Sequence, residues 1–167
     1  PDREELLATP ARVAEAFQEY FRGYREDAHA WLHDADIDMA RGYDDIIMLR
    51  DVRLQSFCEH HLTPFEGRAH VAYLPGQKVV GLSRLARVVD TLAKRLQTQE
   101  ALTQQIAETI EIGLKPRGVA VLVEAEHQCM SLRGVRQIGV AALTHRFIGE
   151  FATDGELRER FMRLAGR

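Results

Sequence analysis

The chain has 167 residues, 28% of them charged and 46% hydrophobic, with a formal charge of −3. That length suits a single unit, residues 1–167, with a real hydrophobic core, and the slight acidity gives no global attraction to nucleic acid or to an anionic membrane. No apolar stretch approaches bilayer-spanning length and no signal-peptide pattern opens the chain, so a cytoplasmic, reducing compartment is expected and any anionic ligand needs a local basic pocket.

Thr9-Pro10 reads as a helix start, with threonine as cap and proline in the first turn. Val13, Phe17, Tyr20 and Tyr24 recur at helical spacing as one apolar stripe, and Gly23 closes the element. Residues 25–45 are mixed and polar, a loop with a helical turn at Ala30-Trp31-Leu32. From Ile46 to Gln55 the pattern becomes that of a strand with one wet face. The stretch Ser56 to Phe65 interrupts it. Strand returns at Arg68 to Leu74, with Ala69, Val71 and Tyr73 facing one way and His70 and Ala72 the other. Pro75-Gly76 makes a turn before a short strand at Val79-Val80.

Leu82 to Gly113 carries two apolar stripes, one through Leu85, Val88, Val89, Leu92 and Leu96, the other through Leu102, Ile106 and Ile110. Their phase slips at Gln97 to Glu100, which predicts two packed helices or one broken helix; Pro116 and Gly118 oppose its continuation. Val119 to Met130 reads as a long strand with Val119, Val121, Val123, Ala125, His127 and Cys129 on one face. Residues 133–151 are less regular, with Ile148 and Phe151 as core. Thr153-Asp154-Gly155-Glu156 resembles a capping box before a last helix that buries Leu157, Phe161 and Leu164. Helix, strands, two helices, strands and helix in that order predict a two-layer α+β domain.

Both cysteines lie near a histidine. Cys58 and His61 are three residues apart, and His127 and Cys129 are two apart on a predicted strand. These four are soft or borderline ligands suited to zinc. Either cysteine alone reads as a small buried hydrophobe, and the two could form one disulfide; the paired histidines favour a metal. Spacing leaves two arrangements open. Cys58, His61 and Cys129 could leave a coordination position open, with His60 and His127 beside it for proton transfer. Alternatively His127 completes a closed structural site. Arg84 and Arg87 on one helix face, with Arg133 beyond the second cysteine, could clamp phosphates. Glu100 could accept from a guanine N1–H and 2-amino group, or could simply suit a helix start. The ordinary glycine-rich nucleotide loop is absent.

Four stretches in order resemble the GTP cyclohydrolase I family. They are Cys58-Glu59-His60-His61-Leu62; Gly81-Leu82-Ser83-Arg84-Leu85-Ala86-Arg87; Arg95-Leu96-Gln97-Thr98-Gln99-Glu100 with Leu102-Thr103; and His127-Gln128-Cys129-Met130 followed by Arg133-Gly134-Val135. The likeness begins at Thr9-Pro10-Ala11-Arg12 and covers nearly the whole chain. It implies a tunnelling fold (T-fold), an antiparallel sheet with paired helices on one side. An N-terminal helical segment over 1–45 would precede a core over 46–167, and several copies would join strands into a barrel, commonly a decamer. It further implies Zn2+ on Cys58, His61 and Cys129, and proton transfer by His60 and His127. Ser83 would lie near the ribose, and Glu100 with Gln99 would hold the guanine. Arg84, Arg87 and Arg133 would gather the triphosphate, with Arg12 from a neighbouring subunit. The implied reaction converts GTP to 7,8-dihydroneopterin triphosphate and formate. Arg84 stands where the family usually has lysine, and residues 138–143 are apolar where it is rich in serine and threonine. The second departure motivates an alternative, a specialised paralogue that opens the purine ring without completing the pterin.

Overall fold

Proline in the first turn and a run of good helix formers give α1 (Thr9–Tyr20) in the computed structural model, which describes residues 3–33, 37–39 and 42–167. The stripe expected to be its core face is not buried: Val13 is 45% and Phe17 36% exposed. Among the described residues it is the end of the helix that is engaged, where Tyr20 stacks on Phe57 at 4.8 Å and Phe21 meets the same ring edge-on at 5.3 Å. The expected helical turn is α2 (Ala30–His33).

Short 3-10 turns at Glu4–Leu6 and Arg22–Tyr24 flank α1, and the remaining α-helices and strands among the described residues are β1 (Ile37–Met39), β2 (Ile47–Cys58), β3 (Pro64–Leu74), β4 (Lys78–Val80), α3 (Leu82–Ala93), β5 (Leu96–Gln97), α4 (Gln99–Leu114), β6 (Gly118–His127), α5 (Gln128–Ser131), β7 (Ala141–Gly149), α6 (Glu150–Thr153) and α7 (Gly155–Leu164). The main sheet has the order β5-β2-β3-β6-β7, antiparallel except for the β2–β5 pair, while β1 and β4 form a separate ribbon. The phase slip between the two helical stripes is β5, a two-residue strand beside Phe57 and Cys58. Strand alternation sorts the core. Ala69, Val71, Tyr73, Val119, Val121 and Val123 face the paired helices α3 and α4. On the opposite face Ala72, Leu74, Ala120 and Leu122 pack on Phe151 and Phe161 from α6 and α7, so a second, smaller helical layer covers part of that side.

Three local expectations change. Residues 141–149 form a regular strand, paired with β6 from Glu126↔Ala141 to Gly118↔Gly149. An edge strand whose residues are mostly exposed shows no apolar alternation, which hides it from pattern reading. β6 ends at His127, and α5 coils Cys129 off the strand face. Asp154, not Thr153, caps α7, its carboxylate accepting from the amides of Glu156 (2.8 Å) and Leu157 (3.2 Å), and Leu164 stays exposed. The reversal into α6 needs Gly149: its φ is +61°, and a Cβ there would meet Arg117 O at 2.2 Å. Among the described residues no helix is long and apolar enough to cross a membrane.

His70, on β3, is only 3% exposed, and its Nδ1 has no hydrogen-bond partner among the described residues. Burial holds its pKa below the ordinary 6.5. Asp51 opposes that shift, while Arg167, Arg50 and Arg68 reinforce it. The unfolded chain therefore binds this proton before the folded one does, so stability falls as pH drops through about 6.5 and levels off below the folded-state pKa. Thermal melts of the wild type between pH 8 and pH 5 should show this decline, and His70→Leu should flatten it.

Candidate active site

A tight reversal at residues 59–63 joins β2 to β3. Cys58 N–H donates to Thr63 O (2.9 Å), Leu62 N–H donates to Cys58 O (2.9 Å), and Leu62 takes the left-handed φ of 54°. For a residue with a Cβ that conformation carries a local cost. Glu59 N–H donates to Gln97 O (3.1 Å), which moors the turn to β5. The Cys58 sulfur is thereby buried under two exposed imidazoles, with His60 Nδ1 at 3.6 Å and His61 Nδ1 at 3.9 Å.

The other half of the site arrives on β6. His127 is the last residue of that strand, opposite Phe65 in register, and the two rings stack at 4.6 Å with an 8° interplanar angle. The α5 turn then brings Cys129 toward Cys58. The donor atoms of Cys58, His61 and Cys129 lie within 4.8 Å of one another, and both thiols are free. These three could hold a metal ion, and the donor chemistry fits zinc. Burial first, and the adjacent Cys58 second, push the Cys129 thiol above its ordinary range. Two thiolates this close are compatible when a divalent cation sits between them.

His127 stands outside that trio, held by Gln99. Thr98 caps α4 by accepting from Ala101 N (3.1 Å), which places Gln99 at the first helical position, 2% exposed. The Gln99 side-chain nitrogen is within donating distance of Val123 O (3.1 Å), Ala142 O (2.9 Å) and Thr144 Oγ1 (3.1 Å). Three acceptors around the nitrogen assign the amide orientation, so Oε1 faces His127 Nε2 at 2.8 Å. His127 therefore carries its proton on Nε2 and keeps the Nδ1 lone pair. Burial lowers its pKa below the ordinary range and so favours the neutral ring, while the Glu100 carboxylate pulls the other way. Thr103 reinforces the arrangement: its hydroxyl donates to Gln99 O (2.7 Å) and lies 2.6 Å from Thr144 Oγ1.

The structure thus groups Cys58, His60, His61, Cys129, His127 and Gln99. It adds Arg133, whose Nη1 is 3.2 Å from His61 Nε2, and Glu100, exposed next to Gln99. Gln99, expected to assist at a guanine, already has its amide engaged by His127, β6 and β7. Ser83, Arg84 and Arg87 gather elsewhere, on the first turns of α3, with the two guanidinium carbons 5.8 and 4.7 Å from the centre of the Trp31 ring. Arg12 lies on exposed α1. Sequence reasoning gave Phe65 no part and named Thr103 and Trp31 only as a motif member and a helical-turn residue; Phe65 pairs with His127 across strands separated in sequence by α3 and α4, so no local signal announced that contact. The apolar 138–143 segment lies on the surface, with Ile138 82% exposed, and meets Gln99 through the main-chain oxygen of Ala142. Any residue type supplies that oxygen.

The family model described as GTP cyclohydrolase I matches residues 1–166. A GTP cyclohydrolase 1 of Brucella anthropi is 52% identical over 167 residues, spanning 100% of this chain and 78% of that protein. The GTP cyclohydrolase 1 of Maricaulis maris is also 52% identical, over 100% of this chain and 81% of its own length. Among solved structures, the archaeosine synthase QueF-Like in its apo form superposes with a TM-score of 0.50 at 23% identity, covering 62% of this chain and 93% of that one. The sheet with its paired helices is the T-fold that the family resemblance implied, on the two-layer α+β plan expected from the residues.

Proposed function

This chain belongs to the GTP cyclohydrolase I family, and from that membership and the geometry of the site we infer that it hydrolyses GTP to 7,8-dihydroneopterin triphosphate and formate. The observation that carries the reading is the convergence of Cys58, His61 and Cys129 beside a His127 whose tautomer is set by Gln99. Zn2+ held by those three residues would supply Lewis acidity and a water nucleophilic at neutral pH.

The chain's own groups account for the rest. His127, neutral with its Nδ1 lone pair unprotonated, suits proton acceptance during purine opening, and exposed His60 suits proton return. Glu100 is the acceptor for guanine N1–H and the 2-amino group. Arg133 can only donate, so its contact with His61 places the ring proton on Nδ1. Arg133 thus stands beside the group that would hold the metal, within reach of His61, and would supply a cation for phosphate there. Arg84 and Arg87 complete the phosphate clamp, Ser83 meets the ribose, and Arg12 comes from a neighbouring copy. That the α3 arginines lie against Trp31 while the thiols group with His61 suits a site shared between subunits; the family resemblance makes that assembly a homodecamer joined through strand edges. Residues 1–45 are read as its N-terminal segment, which among the described residues carries α1, α2 and the short strand β1, and 46–167 as its core, and the enzyme works in the cytoplasm.

Incubation with GTP, read by formate release and by pterin fluorescence after oxidation, tests the reading. A metal-loaded, assembled protein giving neither product would end it. The apolar, exposed 138–143 segment favours a second reading, a paralogue that stops after ring opening; a trapped formamidopyrimidine without ring closure would select it.

A further inference from the structure

We propose that Trp31 is a positioning residue for polyphosphate binding, its indole holding the Arg84 and Arg87 guanidiniums together as one pre-set clamp. The proposal deepens the reading above and rests on it for the identity of the nucleotide. Both guanidinium carbons lie within cation–π range of this one ring, at 5.8 Å for Arg84 and 4.7 Å for Arg87. Two like charges one helical turn apart repel. The negative face of an aromatic ring beside both offsets that repulsion, and stacking on a ring face does not itself use a guanidinium's N–H groups.

The ring itself is fixed. Its Nε1 donates to Thr91 Oγ1 (3.1 Å) on α3, and that hydroxyl donates to Glu26 Oε2 (2.9 Å). Arg22 bonds Asp90 on the same helix and lies 3.6 Å from Glu26. Next in sequence, Leu32 is buried so closely on α4 that a Cβ at Gly113 would meet it at 2.7 Å. A half-buried tryptophan anchored at its nitrogen and at its neighbour cannot follow the arginines; the arginines must come to it. Long, rotamer-rich side chains held this way lose less freedom when they bind phosphate. The platform also gives a physical reason for arginine at position 84, since a planar guanidinium stacks on an indole while keeping its fork of donors, whereas a lysine ammonium is a point charge.

Trp31 is the only tryptophan of the chain, so the protein's emission reports on this ring. In the assembled, zinc-loaded protein, titration with inorganic tripolyphosphate and with GTP should each change that emission, while guanosine should not, and Arg87→Ala should abolish the response. Trp31→Leu should raise KM for GTP about tenfold with a much smaller change in kcat, and Trp31→Phe should restore most of the difference. An emission indifferent to tripolyphosphate, or an assembled Trp31→Leu enzyme with wild-type KM, would overturn the proposal. If Trp31→Leu does not assemble, the Arg87→Ala titration decides, because it leaves the ring in place. A tripolyphosphate response in a protein that makes no pterin would retain the clamp and reject GTP cyclohydrolysis.

Discussion

Cys129→Ser is expected to empty the metal site and lower formate release by on the order of 10³-fold or more, with the fold intact. The argument rests on where the sulfur sits. Cys129 lies on the four-residue α5 turn and is half-buried, packed beside the core rather than within it, so an isosteric hydroxyl costs little packing. What the substitution removes is one of three donor atoms gathered within 4.8 Å. A serine hydroxyl is a far poorer zinc ligand than a thiolate. Metal quantified per chain, formate release, and far-ultraviolet circular dichroism separate the two effects. Full zinc occupancy in the variant would exclude Cys129 as a ligand. Cys58→Ser should lose metal equally but also destabilise, since that sulfur is buried in the main core cluster.

His127→Ala should lower turnover by roughly 10²- to 10⁴-fold while leaving bound zinc unchanged, the range set by removal of a positioned acid–base group. Gln99→Leu should reproduce much of that loss without touching the imidazole. It deletes the acceptor that holds His127 Nε2–H and the donors shared among Val123 O, Ala142 O and Thr144 Oγ1. Orphaning buried polar groups of this kind also costs about 1–3 kcal/mol of stability. If Gln99 acts through His127, the double variant will be little worse than His127→Ala alone. Additive losses would instead mean that Gln99 acts on the substrate independently. Retained zinc in all three proteins is the internal control.

Much of this molecule is local and therefore readable. Pro10 in the first turn of α1, the break at residues 97–100, the two faces of β3 and the helical turn around Trp31 all follow from periods of 3.6 or 2 and from capping chemistry. Those signals arise within a few residues of one another. The motifs around Cys58, Glu100 and Cys129 likewise named residues that the structure brings near one another, while Ser83 lies apart on α3. Patterns could not say whether His127 would be a fourth ligand, because that depends on whether the chain stays extended or coils after it. It coils into α5, which leaves His127 to Gln99, 28 residues away, and turns Cys129 to the thiol of Cys58.

The same limit explains β7, the exposed stripe of α1 and the Trp31 platform. An edge strand, an uncovered helix face and a ring shared by two arginines are defined by neighbours distant in sequence, and no local period encodes them. Composition and spacing supplied a set of candidate metal ligands, and the ordered motifs supplied the family resemblance that implies the reaction. Tertiary structure decided which histidine stands apart from the sulfurs, which amide sets its tautomer and where the arginines wait, because each of those outcomes depends on side chains brought together only by packing.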